Sequence, residues 1–268
     1  MVQAKRSPGK WSAWVFALIV ASQLWAAHAV VFFAHEYSHS FVAWILGWKV
    51  NPLALNYAHL SPTVVLIQLG IDQNVDEVPI FNSGHGAQAA IISAAGMIIG
   101  NLLLTLPLGL WGLRIAKEHS SRLFGMLCYW VTVASIGNLI DYVPIRTFTD
   151  GTDLYQDMYA VERGLNWTPW TLLTVFGVPI MAVVAFFLFR IMPNAIRWLF
   201  PSSPNGRRTM AFLTAFFLFG FYGLAGLLGG GPISYLLSII SVAIIMPIAA
   251  ILGGHFLGSR GPKGEMAL

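Results

Sequence analysis

The chain has 268 residues, 57% of them hydrophobic and only 10% charged, with a mean hydropathy of +0.70. A soluble domain carries about 25% charged residues, so this composition excludes an ordinary soluble globule and leaves little length for one beside membrane spans. The net charge of +4 does not argue for nucleic-acid binding, because the basic residues sit in short stretches between apolar runs, as membrane topology requires. Cys128 is the single cysteine, which excludes an intrachain disulfide and a cysteine-based zinc site; it reads as a small packing residue.

The chain begins with Lys5, Arg6 and Lys10 ahead of an apolar run. Signal peptides start this way, but the run over 11–46 is too long for one and reads as a retained membrane span. Inside it lies His35-Glu36-Tyr37-Ser38-His39. Three ionisable side chains within five residues of an apolar span are costly and mark function. Seven histidines and five glutamates in the chain give about 0.003 chance occurrences of H-E-x-x-H, so coincidence is a poor account of the motif. On a helix, residues four apart share a face, so His35 and His39 can grip one metal ion, with Glu36 placed to act as general base on an activated water. His28, seven residues before His35, falls on the same face and reads as an interhelical hydrogen-bond partner.

The connection 48–85 is long. Val64-Val65-Leu66-Ile67 has strand character between the breakers Pro52 and Pro62, and bare backbone cannot face lipid. A short strand-like or re-entrant segment is therefore expected after the first span, with an ordinary extramembrane loop as the alternative reading. His85, between Gly84 and Gly86, is a minor candidate for metal or substrate contact. Further apolar runs follow at about 86–113, 123–143, 169–189, 210–228 and 233–256, each near the roughly 20 residues a span needs. The expected fold is an all-α polytopic membrane protein of about six transmembrane helices, one membrane domain over 1–268.

If the spans alternate, twelve of the fifteen basic residues fall on one side, leaving Lys49, Arg146 and Arg163 on the other. The positive-inside rule then puts both termini in the cytoplasm and His35 and His39 in the outer half of the first span. A catalytic zinc has three protein ligands and an open position. The connection 144–167 lies on the same side as the histidines and offers Asp150 and Asp153; Asp141, at the end of the third span, competes.

These motifs resemble the site-2-protease-like intramembrane zinc metalloproteases, the M50 peptidases. His35-Glu36-Tyr37-Ser38-His39 followed by Gly47-Trp48-Lys49-Val50 is similar to the family's first motif and its exit. Ala94-Ala95-Gly96 with Asn101 is similar to its small-residue helix, with the Asn one place late, and Asn138, Pro144 and Asp150-Gly151 are similar to its N-x-x-P…D-G segment. The resemblance covers about 28–155, within a metalloprotease-like core of about 11–155; the helices at about 167–256 add nothing to it. The third segment departs from the family pattern: it is longer, carries Arg146 and ends Asp150-Gly151-Thr152-Asp153.

The resemblance implies one zinc ion per chain on His35, His39 and Asp150, with Asp153 as the alternative third ligand. It implies Glu36 as the catalytic base, and Asn101 and Asn138 as residues that bind unwound substrate backbone. The expected partners are the bilayer and a transmembrane protein or peptide substrate. The competing expectation is a metal-binding transporter or sensor without hydrolysis, which has no need of a Glu at the second position of the motif. A third is the other H-E-x-x-H membrane protease type with a Glu as third ligand, for which Glu118 and Glu162 are poorly placed. No regulatory domain fits the loops.

Overall fold

The structure, a computed structural model, describes residues 13–57, 59, 61–148, 156–227 and 231–259. Asp150 and Asp153 lie outside the described residues, as do Lys5, Arg6, Lys10, Arg260 and Lys263. Among the described residues, six helices are long and apolar enough to cross a membrane. They are α1 (Ala13–Ile45), α4 (Gly86–Glu118), α5 (Arg122–Ile145), α7 (Pro169–Leu199), α8 (Pro204–Leu227) and α9 (Pro232–Ser259). Three short helices join them: α2 (Pro62–Ile67), α3 (Glu77–Asn82) and α6 (Asp157–Leu165). The chain is an all-α, multi-pass membrane protein.

Apolar packing unites all six long helices. One continuous core contains Val20 of α1, Met97 of α4, Trp130 of α5, Phe187 of α7, Leu218 of α8 and Leu257 of α9. The central helix is α5: Tyr129, Trp130, Val133, Ile136 and Leu139 are all but inaccessible, and the buried Tyr129 hydroxyl shares a 2.6 Å hydrogen bond with Thr214 of α8. Pro144 ends the regular part of α5. The residue before a proline is driven out of the α region, and Val143 is extended at φ −138°, ψ 112°.

The two stretches richest in Arg and Lys between spans, around 114–122 and 190–208, gather at one end of the bundle. There Gln23 Nε2 of α1 donates to Leu123 O at the start of α5 (3.1 Å), Phe16 meets Phe200 edge-on, and the buried Arg207 donates to Leu257 O, Phe200 O and Pro201 O. From Gln23, α1 climbs twelve residues to His35, about 18 Å at 1.5 Å per residue. It stops at Gly47, whose φ of +82° is a left-handed conformation open to glycine. Trp48 N–H then bonds Ala43 O and Gly47 N–H bonds Trp44 O, a helix-terminating pair that satisfies the last carbonyls.

The connection after α1 turns back along it. Asn56 and Asp72 pair their backbones in an antiparallel bridge, and Lys49 Nζ donates to Ala54 O and Asn74 O, and to Gln73 O, tying the two limbs together. The tip then descends: Trp25 Nε1 donates to Val65 O at 2.9 Å, and His28 Nδ1 pairs with Gln68 Oε1 at 2.8 Å. Trp25 lies twenty residues before Ile45, about 30 Å down the helix axis, so the segment is re-entrant. The expected strand at 64–67 is not formed; these residues make a turn of helix, α2. Ser61 Oγ accepts from Val64 N–H, Pro62 occupies the first turn, and no neighbouring strand offers a partner among the described residues. A helical turn satisfies its own backbone, as apolar surroundings demand.

Candidate metal centre

Two faces of helix packing make the site. Gly96 and Gly100 of α4 cross α1 at the histidines, a small-x-x-x-small contact that brings backbones close. A Cβ at Gly100 would sit 2.7 Å from Ala34 O, and one at Gly96 would sit 2.5 Å from His35 Nε2 and nearer still to His39 Nε2. The two imidazoles thus fill the space that any larger residue would need. Helix α6 docks on the start of α4 by a second close contact between Gly164 and Gly86, with the Arg163 guanidinium 5.0 Å over the Phe81 ring. That docking delivers Asp157, the first residue of α6, to the histidine pair.

His35, His39 and Asp157 are buried, and their ligand atoms converge. His35 Nε2 and His39 Nε2 are 2.9 Å apart, and Asp157 Oδ2 lies 3.2 Å from the first and 3.3 Å from the second. Three corners of a tetrahedron around zinc with bonds of about 2.0–2.1 Å are separated by about 3.3 Å. His39 Nδ1 donates to Ile92 O at 2.6 Å, which leaves the Nε2 lone pair facing the centre of the triangle. Burial alone would raise the Asp157 carboxyl, but His39 and His35 outweigh it and hold the group well below the usual carboxylate range. It is therefore an anion over the whole physiological range. Two imidazoles and a carboxylate so arranged fit a divalent cation, and the donor set suits zinc.

Glu36 is buried beside the pair, and among the described residues nothing hydrogen-bonds its carboxylate. Asn101 is wholly buried and lies on the far nitrogen of His35, with Nδ2 3.0 Å from His35 Nδ1; it also donates to Asn138 Oδ1. Both amides thus stand behind His35, in hydrogen bonds to the site's own side chains. Tyr142 stacks on the His35 ring, with centroids 4.7 Å apart and planes at 21°. Asp141, the competing carboxylate at the end of the third span, faces Arg146 instead, 3.9 Å from its Nη1. His28 is enclosed by Phe32, Phe217, Phe221 and Tyr222 and bonds Gln68. His85 bonds Ser83 and packs on Trp48, away from the triad. Glu118 pairs with Arg114 on the surface.

The sequence reading did not single out Asp157 as a candidate ligand. A signal was present: Met158, Ala160, Val161 and Leu165 mark an amphipathic turn-and-a-half, and an Asp opening such a helix is favoured by its dipole. Asp157 shares a face with Val161, so it points inward with the apolar stripe.

A second buried carboxylate stands close by. Glu77 of α3 accepts from Ser93 Oγ at 2.5 Å through Oε1, while Oε2 has no partner among the described residues. Burial, reinforced by Asp157 and Asp76, pushes this carboxyl from 4.5 up to about 7 against the opposing pull of the Ser93 hydrogen bond and His39. Between those values the folded chain keeps a proton that the unfolded chain has lost, so folded stability falls as pH rises through the window, by about 3 kcal/mol in all. The thermal midpoint of the metal-free protein is expected to fall from pH 5 to pH 8, with the fall reduced in Glu77→Gln. Parallel pH profiles for the two proteins would count against this.

No family model, curated protein or solved structure matches the chain.

Proposed function

We propose that this protein is an intramembrane zinc metalloendopeptidase that cleaves peptide bonds in or near transmembrane segments of other proteins. The observation that carries the reading is the triangle of His35 Nε2, His39 Nε2 and Asp157 Oδ2, closed to 2.9–3.3 Å inside a membrane bundle, with the Glu36 carboxylate, which has no hydrogen bond among the described residues, beside it. His35, His39 and Asp157 would hold one zinc ion, so the third ligand of this reading is Asp157 in place of Asp150 or Asp153. Zinc in that position supplies Lewis-acid activation of a water and of the scissile carbonyl.

The chain's own residues account for the remaining steps. Glu36 takes the proton of the attacking water on a carboxylate oxygen and returns it to the leaving amine. The Arg146 guanidinium, over the Tyr142 ring at 4.8 Å, adds positive charge on the side of the site where Tyr142 covers His35. The substrate segment must be unwound, because a helix hides its carbonyls in hydrogen bonds. The gathering of the connections around 114–122 and 190–208, which carry seven Arg and Lys residues, at the end opposite the histidines supports cytoplasmic termini and a site in the outer half of the bilayer.

The test is cleavage of a transmembrane peptide by the purified, detergent-solubilised chain, in parallel with zinc content. Wild type is expected to carry one zinc per chain, to lose cleavage with a chelator and to regain it with zinc. Glu36→Gln is expected to keep the zinc and lose roughly 10²- to 10⁴-fold in rate. Cleavage unaffected by Glu36→Gln would reject the protease reading, and zinc binding with no cleavage of any membrane peptide would favour a non-hydrolysing metal protein.

A further inference from the structure

Attack on a peptide carbonyl turns its oxygen into an oxyanion, and hydrogen-bond donors aimed at the place where that charge develops are the largest single aid an enzyme can give. The side chains that meet at the histidines are poorly suited to this. Asp157 is an anion, turned with Oδ2 toward His35 Nε2 and His39 Nε2 at 3.2 and 3.3 Å, and Glu36 brings a second carboxyl group. His39 Nδ1 is committed to Ile92 O. The amides of Asn101 and Asn138 lie behind His35, within hydrogen-bond reach of its far nitrogen and of each other, so they meet the back of a ligand rather than a substrate.

Tyr142 is differently placed. It sits where α5 loses its regular course, just ahead of the extended Val143. Its ring lies flat on the His35 imidazole, with centroids 4.7 Å apart and planes at 21°. The side chain is buried, and its hydroxyl lies in the field of Asp157, Arg146, Asp141 and Glu36, so the oxygen faces the charged groups of the site. Among the described residues nothing accepts a hydrogen bond from that hydroxyl. The Arg146 guanidinium stands over the same ring, Cζ 4.8 Å from the centroid, and is held there by Asp141, 3.9 Å from Nη1. A neutral donor backed by a cation therefore adjoins a centre that otherwise carries two carboxyl groups.

We propose that Tyr142 is a catalytic residue: its hydroxyl donates a hydrogen bond to the scissile carbonyl oxygen as negative charge builds there. The role rests on the peptidase reading above and adds a residue to it. No proton is transferred in this contact. The hydrogen stays on the phenol oxygen as the peptide bond breaks, and Glu36 alone carries the proton from water to the leaving amine. A phenol suits the position because it donates without a charge of its own, which an apolar span would penalise. The contact reaches full strength only when the carbonyl carbon is tetrahedral, so its loss falls on kcat and leaves substrate affinity unchanged.

The test uses the purified, zinc-loaded full chain. It reads steady-state cleavage of a transmembrane peptide, zinc per chain, and affinity for a phosphinic peptide, whose tetrahedral, negatively charged group mimics the oxyanion. Tyr142→Phe keeps the ring on His35 and removes one oxygen. It is expected to hold one zinc per chain, to keep KM and to lose roughly 10²- to 10³-fold in kcat. It is also expected to bind the phosphinic peptide about 10-fold or more weakly. The uncleaved substrate, measured with Glu36→Gln present, is expected to bind equally with Tyr or Phe at position 142. A tyrosine that only packs on His35 gives Tyr142→Phe a wild-type kcat, or an activity loss that follows a loss of zinc, and either result overturns the proposal. So does an unchanged affinity for the phosphinic peptide. If Tyr142→Phe fails to fold, site-specific 3-fluorotyrosine at position 142 keeps the ring and changes the acidity of the hydroxyl. An affinity for the phosphinic peptide equal to that of wild type then overturns the proposal. A wild type that cleaves no peptide rejects the peptidase reading together with this role, whereas wild-type cleavage matched by Tyr142→Phe rejects the role alone.

Discussion

On the proposed zinc site, Gly96→Ala is expected to abolish Zn²⁺ binding at concentrations that saturate the wild type. The added methyl group would lie 2.5 Å from His35 Nε2 and closer to His39 Nε2, well inside van der Waals contact with both ligand atoms. Something must move. The α4 backbone has little room to retreat, because further along the same helix Gly109 and Gly112 are packed closely against Thr132 and Cys128 of α5. The imidazoles must therefore rotate away, and each is pinned, His39 by Ile92 O and His35 by Asn101 and Tyr142. Overpacking a tight site costs about 1–3 kcal/mol or more. At 1.4 kcal/mol per factor of ten, the upper part of that range lowers affinity by at least about 100-fold. Gly254→Ala, with nothing within 4 Å of its would-be Cβ, is the matched control and keeps wild-type binding. Equal zinc content in Gly96→Ala and Gly254→Ala would place the metal somewhere other than on these histidines.

Asp157→Ala has a comparable effect by a different route. On the proposed site it removes one of three ligands and leaves two lone-pair-bearing nitrogens facing a neutral gap. Four-ligand zinc sites bind with about 10–16 kcal/mol, or about 3–4 kcal/mol per ligand, so the loss of one lowers affinity by roughly 10²- to 10³-fold. Asp150→Ala and Asp153→Ala retain Zn²⁺, because the triangle is complete without them. The readout is zinc per chain after dialysis against a weak chelator, with cleavage measured alongside. Retained zinc in Asp157→Ala together with loss in either of the other two would return the third ligand to the Asp-Gly segment that the family resemblance favours.

The spans were legible because the signal is one of length. Runs of about 20 apolar residues flanked by Arg, Lys, Trp or Pro have one economical solution in lipid, and all six appear, α1, α5 and α9 close to the expected bounds, while α4 and α7 run on to Glu118 and Leu199 and α8 starts earlier, at Pro204. The re-entrant course of the connection 48–85 was one of two readings left open by the sequence, the other being an ordinary extramembrane loop. Its local conformation was misread. Val64-Val65-Leu66-Ile67 has strand propensity, but propensity of that kind expresses packing against a neighbouring strand, and the neighbour here is the side of α1, where Trp25 and His28 take the bonds. The roles of Asn101 and Gly96 were hidden in the same way. Both residues stood out in the sequence, yet only the crossing of α4 over α1 sets Asn101 against His35 Nδ1 and leaves no volume at Gly96.

The sequence by itself determined that this is a membrane-spanning helical chain and that His35, Glu36 and His39 occupy one stretch of its first helix, because both properties follow from spacing over a few turns. The tertiary structure alone decided which carboxylate meets them. Asp157 lies 122 residues from His35, in a connection that carries several aspartates, and nothing local distinguishes one from another. The docking of α6 on α4 through Gly86 and Gly164 selects Asp157, because a ligand must be held by a packed element within a few ångströms of its partners, and among the described residues α6 is the element that carries an aspartate to that distance.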